Sequence, residues 1–208
     1  YINMKPTLII SCPIDTYSGY GSRGRDVAKA IIELDKYEVK ILPQRWGNTP
    51  WGFINDHPEW EFLNQHLFYP QPNQQYPKPE IWIQLTIPNE FMPQGKYNIG
   101  MTAGIETTLC PAEWILGCNR MDIVLGSSEH TIKVLKECKF QKTDKNTGQI
   151  IESIELNTKT EVLFEGVNLD VYKPVKSTLD LSNIRESFCY LFVGHWIQGD
   201  FGHDRKNV

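Results

Sequence analysis

The 208-residue chain is 40% hydrophobic and 22% charged, with a formal net charge of −4 at pH 7. That balance supports a buried core and argues against the basic surface by which nucleic-acid binders neutralise phosphates. No apolar run approaches the ~20 residues of a membrane-spanning helix, and residues 1–6 lack the apolar stretch of a secretory signal. Cys12, Cys110, Cys118, Cys138 and Cys189 are odd in number, scattered and without CxxC spacing, the pattern of reduced thiols in a cytoplasmic protein. The five histidines form no HxxxH or HExxH unit, so no dedicated zinc site is expected.

Residues 7–12 are a short apolar run ended by Pro13, which reads as a buried strand. After a polar loop, Val27, Ala30, Ile31 and Leu34 recur at helical spacing within residues 22–34, predicting a helix with one buried face. Residues 37–42 alternate as a second strand. The β-α-β order implies parallel strands and an α/β domain, a Rossmann-like sheet flanked by helices. Residues 43–79 are rich in Trp, Pro, Asn and Gln, and read as loops around one amphipathic helix near 58–67. Strands follow at 80–85 and 97–102, and Pro111 suits the first turn of a helix running to about Cys118. A strand at 122–126 leads to Ser128, a cap for a helix over 129–138. Asn146, Thr147 and Gly148 supply turn chemistry between two β-prone arms, 140–142 and 149–156, a hairpin inserted before the strand 160–164. Pro174 closes this unit, and residues 175–187 form a polar linker. The apolar run 188–194 reads as the opening strand of a second domain that the chain enters but does not complete.

Residues 19–24 fit G-x-G-x-x-G between a strand and a helix, a pattern that lets backbone approach a phosphate at a helix N-terminus. Two details count against a dinucleotide fingerprint. Residues 13–18 separate the glycines from the strand, and no carboxylate stands at the end of the second strand, where Leu42, Pro43, Gln44 and Arg45 are found. Arg45 leaves an NADP oxidoreductase open, because it could meet a 2′-phosphate. Anion binding and simple packing are the two other readings of this loop. Trp46, Trp51, Phe53 and Trp60 invite stacking on sugar rings, against the commoner fate of core or lid packing.

Four stretches taken together carry a resemblance. They are Ser18 to Gly21 after the first strand, Val124 to His130 at a strand-to-helix junction, Leu163 to Pro174, and Phe192 to Gly194 with Arg205, Lys206 and Asn207. In order and spacing the chain resembles the family-four retaining glycosyltransferases, whose GT-B architecture faces two Rossmann-like domains across a cleft. Leu163 to Pro174 is similar to the family's P-N-G-V-D-x-x-x-F-x-P segment, with Glu165 and Asn168 in place of the usual Asn and Asp. The resemblance implies a sugar transferred from a nucleotide-diphosphate-sugar donor to a sugar or glycosylated acceptor, with retention and without a bound metal or cofactor. It implies that Gly19, Tyr20 and Gly21 approach the donor diphosphate from one side. Arg205 and Lys206 would supply charge from the protein's own C-terminal domain. A departing diphosphate needs such preorganised donors and cations. Glu106 is the polar candidate after the fourth strand, where many members carry His, and it could equally cap the helix near Pro111. His130, Glu165, Gly166 and Asn168 are cleft candidates, with Trp46 and Trp51 in acceptor loops. A non-catalytic glycan-binding α/β domain is the competing reading of another class.

Overall fold

A computed structural model describes residues 5–176 and 180–191. Two compact units divide the chain, 1–166 and 167–208. The first is built on six parallel strands: β1 (Thr7–Cys12), β2 (Glu38–Pro43), β3 (Ile81–Leu85), β4 (Tyr97–Thr102), β5 (Ile123–Gly126) and β8 (Lys159–Val162). Their order is β2-β1-β3-β4-β5-β8, a Rossmann-like α/β sheet flanked by helices as the sequence predicts. Ile10 lies beside Ile41 on one side and Ile83 on the other, so the central strand is apolar along both edges.

Successive strand residues face opposite sides. Leu8, Ile10 and Cys12 pack with Ala28 of α1 (Gly19–Glu33), whereas Ile9 and Trp82 belong to a second cluster on the other side. The helix begins three residues earlier than its periodicity suggests. Its buried residues are Gly21, Gly24, Arg25 and Ala28, while Ala30 is exposed and Leu34 is 56% exposed. Small residues let the helix axis approach the sheet closely, so the bulkier Val27 and Ile31 flank the contact instead of forming it.

Between β2 and β3 the chain makes α2 (Phe53–Asp56) and then a 3-10 helix, Pro58–His66, where an amphipathic helix is expected. Leu63 of this stretch is fully buried against the α1 side of the sheet. The second cluster is closed by α3 (Ala112–Cys118) and α4 (Glu129–Glu137), with Ile115, Val134 and Leu135 buried. Ser128 Oγ caps α4 by accepting from Thr131 N at 3.1 Å. The inserted hairpin is present as antiparallel β6 (Phe140–Thr143) and β7 (Ile150–Ile154).

Cys12, Cys110, Cys118 and Cys138 are buried free thiols, and Cys189 is exposed. Burial pushes the Cys12, Cys110 and Cys118 thiols up to about 12. Among the described residues no helix is long and apolar enough to cross a membrane.

In the second unit the described residues form turns. Asn168 accepts from Tyr172 N at 2.8 Å through its carbonyl, and Ile184 N donates to Leu181 O at 2.9 Å. The strand expected over 188–194 is not formed across 188–191, and the remainder lies outside the described residues. Among the described residues no strand is hydrogen-bonded to 188–191, and a strand without a ladder leaves its backbone groups to water.

Candidate functional site

The first unit gathers its chemistry at the C-terminal edge of the sheet. Chain direction across the sheet reverses between β1 and β3, the switch point outside which open parallel sheets bind ligands. The loop 13–18 leaving β1 is shaped from below by Arg25. Its Nη1 donates to Ile14 O at 2.8 Å and to Thr16 O at 3.0 Å, and the guanidinium lies 3.5 Å from the Phe53 ring centroid. Arg25 is only 3% exposed, and desolvation lowers its pKa first, with nearby Asp26 opposing. A buried cation satisfied by backbone carbonyls is costly to disturb.

Ser18 ends this loop as the N-cap of α1, its Oγ accepting from Gly21 N at 2.9 Å. The N–H groups of Gly19 and Tyr20 find no acceptor among the described residues. The two glycines differ. A Cβ on Gly21 would stand 2.5 Å from Thr16 O and 2.9 Å from Pro13 O, so Gly21 allows the helix to touch its own loop. A Cβ on Gly19 would meet nothing within 4 Å, and this residue borders open space at the positive end of the helix.

Tyr20 crosses to β4. Its hydroxyl lies 3.0 Å from Thr102 Oγ1 and accepts from Ala103 N at 3.1 Å. Its ring packs at 4.4 Å between centroids on Trp46. Burial pushes the Tyr20 phenol up; the bonds to Thr102 and Ala103 act against this, and the carboxylates of Glu165 and Glu90 add to it. The phenol therefore stays protonated. Trp51 forms a backbone bridge to Thr16 and lies beneath Arg45, 5.6 Å away, so both candidate tryptophans border the glycine loop. Phe53 is taken up by Arg25 and stacks on His57 at 4.0 Å, and Trp60 packs against the first core cluster.

The loop after β4 is tied to α4. Ala103 O accepts from Ser127 Oγ at 2.9 Å and from Thr131 Oγ1 at 2.8 Å, and His130 Nε2 donates to Thr107 O at 3.3 Å. Glu106 is exposed within this loop, and the N-cap of α3 is Pro111, which offers no side-chain hydrogen bond. Beyond β8, Glu165 and Gly166 are exposed. Arg23 Nη2 holds the preceding backbone by donating to Leu163 O at 2.9 Å and Phe164 O at 3.1 Å. Asn168 belongs to the second unit, where its Oδ1 accepts from Asp170 N at 2.9 Å. Arg205 and Lys206 lie outside the described residues.

One edge thus brings together Gly19, Tyr20, Trp46, Trp51, the loop carrying Glu106, His130 and Glu165. Sequence reasoning overlooked Arg23, Arg25, Thr102 and Ser127. Arg25 had a readable signal, since it falls one turn after Gly21 on the same helix stripe. Among the described residues no group of three or more His, Cys, Asp or Glu side chains could hold a metal ion. Compared with models of known protein families, with curated proteins and with solved structures, the chain matches none.

Proposed function

We propose that this chain is the acceptor-side domain of a retaining glycosyltransferase of the GT-B kind, working in the cytoplasm on a nucleotide-diphosphate-sugar donor. The observation that carries the reading is the meeting of the open start of α1 with the Tyr20–Trp46 ring pair and the tied loop 103–107. The unbonded N–H groups of Gly19 and Tyr20 are suited to a phosphate oxygen. An aromatic pair beside them offers an apolar face to a sugar ring. The protonated Tyr20 hydroxyl and the carboxylates of Glu106 and Glu165 are polar groups of this edge suited to orient acceptor hydroxyls. In this reading the cationic half of the diphosphate site comes from a second domain, with Arg205 and Lys206 at its start, so transfer needs both domains closed around the donor.

The test is release of nucleoside diphosphate from a panel of nucleotide sugars with candidate acceptors. The product of the full reading frame should turn over, and Tyr20→Ala should lower that rate about 100-fold by misplacing the loop after β4. The 208-residue chain alone should release little or none. Turnover by the chain alone would overturn the divided site, and a full-length product inert toward every donor would sink the transferase reading.

A further inference from the structure

On the sheet face opposite α1, the last stretch of the crossover into β3 does not build a helix. Pro70, Pro72, Pro77 and Pro79 each remove a backbone donor and fix φ, so residues 69–79 run as an irregular strap. The strap is hung at both ends, by Phe68 N donating to Ile41 O at 2.7 Å and Glu80 N donating to Thr7 O at 3.0 Å. Parallel sheets need both faces covered, and a strap held off by its prolines leaves space where a helix would place side chains. The space is a cavity of about 580 Å³.

Its chemistry is specific. Ile9, Leu42 and Trp82 give an apolar floor, and Phe68 and Tyr76 bring aromatic rings from the strap. Apart from Lys78, the polar lining is neutral amide and hydroxyl, and much of it is already committed. Gln84 donates to Glu90 O at 2.9 Å and accepts from Met92 N at 2.8 Å, while Gln44 Nε2 donates to Ser11 Oγ at 2.5 Å. Gln44 Oε1 is left without a donor among the described residues. The Nε1 of Trp82, a residue only 6% exposed, is buried with no hydrogen-bond partner among the described residues. Among the described residues Lys78 is the one formal charge in the lining, and none of them brings a carboxylate.

We infer that this cavity is a binding site for a small planar heteroaromatic compound, neutral or singly anionic. The volume falls within the range of small-molecule sites, roughly 300–1,000 Å³. Aromatic and proline walls favour a flat ring over a globular one. A polyol would need acceptors for its several hydroxyl donors, and the lining lacks the carboxylates that supply them. A heteroaromatic ring needs less: one N–H for Gln44 Oε1, with its flat face laid against the aromatic lining of Trp82, Phe68 and Tyr76. The site is separate from the edge that holds Tyr20 and Trp46, and it stands or falls independently of the transferase reading.

The experiment titrates the ¹⁵N-labelled 208-residue chain with adenine, 7-azaindole and quinazoline, and with methyl glucoside as the polyol probe. The readout is the set of tryptophan indole N–H signals, with that of Trp82 identified by its loss in Trp82→Phe. At least one ring probe should shift the Trp82 signal saturably while the glucoside leaves it in place. Met92 lines the cavity and is 54% exposed, so Met92→Trp blocks space without disturbing the core. It should weaken binding tenfold or more. Failure of all three ring probes, a saturable shift by the glucoside instead, or unchanged affinity in Met92→Trp would each overturn the assignment. A cavity already filled by another part of the chain would appear as the first of these.

Discussion

Strands β1 and β2 carry two unlike surfaces on one backbone. Toward α1, Ile10 of β1 and Ile41 of β2 are fully buried in the cluster that takes in Ala28 of a helix whose buried residues include Gly21 and Gly24. Toward the strap, the same strands floor a cavity of about 580 Å³. The register is common to both sides, so the strands cannot be the cause. The cover decides: small residues bring a helix down to van der Waals contact, and prolines hold a strap away. Close packing is a property of the partner laid on a sheet as much as of the sheet.

Truncation is the most forceful way to break that contrast. Ile10→Ala should cost about 3–4 kcal/mol in urea unfolding, because its surroundings are locked and cannot collapse. Leu42→Ala, which removes a side chain already bordering empty space, should cost only about 1 kcal/mol. Equal losses would mean the strap side is packed after all.

A smaller effect, read by pH, isolates one thiol on the α1 side. Cys12 lies under α1, and burial raises its thiol from 9.0 to about 12. Above pH 9 the unfolded chain sheds this proton while the native chain keeps it. The native state is then increasingly disfavoured until the folded thiol itself ionises. The denaturation midpoint should therefore fall between pH 9 and 12, and Cys12→Ala should flatten that fall. An unchanged slope would assign the loss to Cys110, Cys118 and the tyrosines instead.

The smallest expected change is on the strap side. Trp82→Phe removes a buried N–H that has no partner among the described residues, and this offsets the packing lost with the smaller ring. Stability should stay within about 1 kcal/mol of the parent. A loss near 3 kcal/mol would show that the indole is satisfied in solution.

Much of the fold was legible because buried parallel strands write themselves as apolar runs, which located β1, β3, β4 and β5 to within a residue or two. Helix α1 was legible in kind but not in face. The apolar spacing points to Val27, Ala30, Ile31 and Leu34, yet Gly21, Gly24, Arg25 and Ala28 are the buried positions. The stretch over 58–67 has helical spacing but forms a 3-10 helix, and the single turn of α2 is too short to leave a period.

At the candidate edge, what was local was readable, as with the glycines beside Ser18. The contact of Tyr20 with Thr102 spans 82 residues and that of Arg23 with Leu163 spans 140, and no short-range pattern encodes either. The run 188–191 is apolar enough to suggest a strand, but hydrophobicity cannot supply a hydrogen-bonded neighbour. The terminal pair, Arg205 and Lys206, keeps its sequence-based expectation, being outside the described residues.

Arg23 grips the segment after β8 through two carbonyl oxygens, and carbonyls are common to every residue type. The side chains of Leu163 and Phe164 are meanwhile 43% and 64% exposed and take no part in the grip. Path and identity are thereby uncoupled at this rim. Substitution at 163 or 164 can change what the edge presents to an approaching molecule without moving the chain that presents it. Replacing Arg23, far away in sequence, would release the path while leaving every residue of the segment in place.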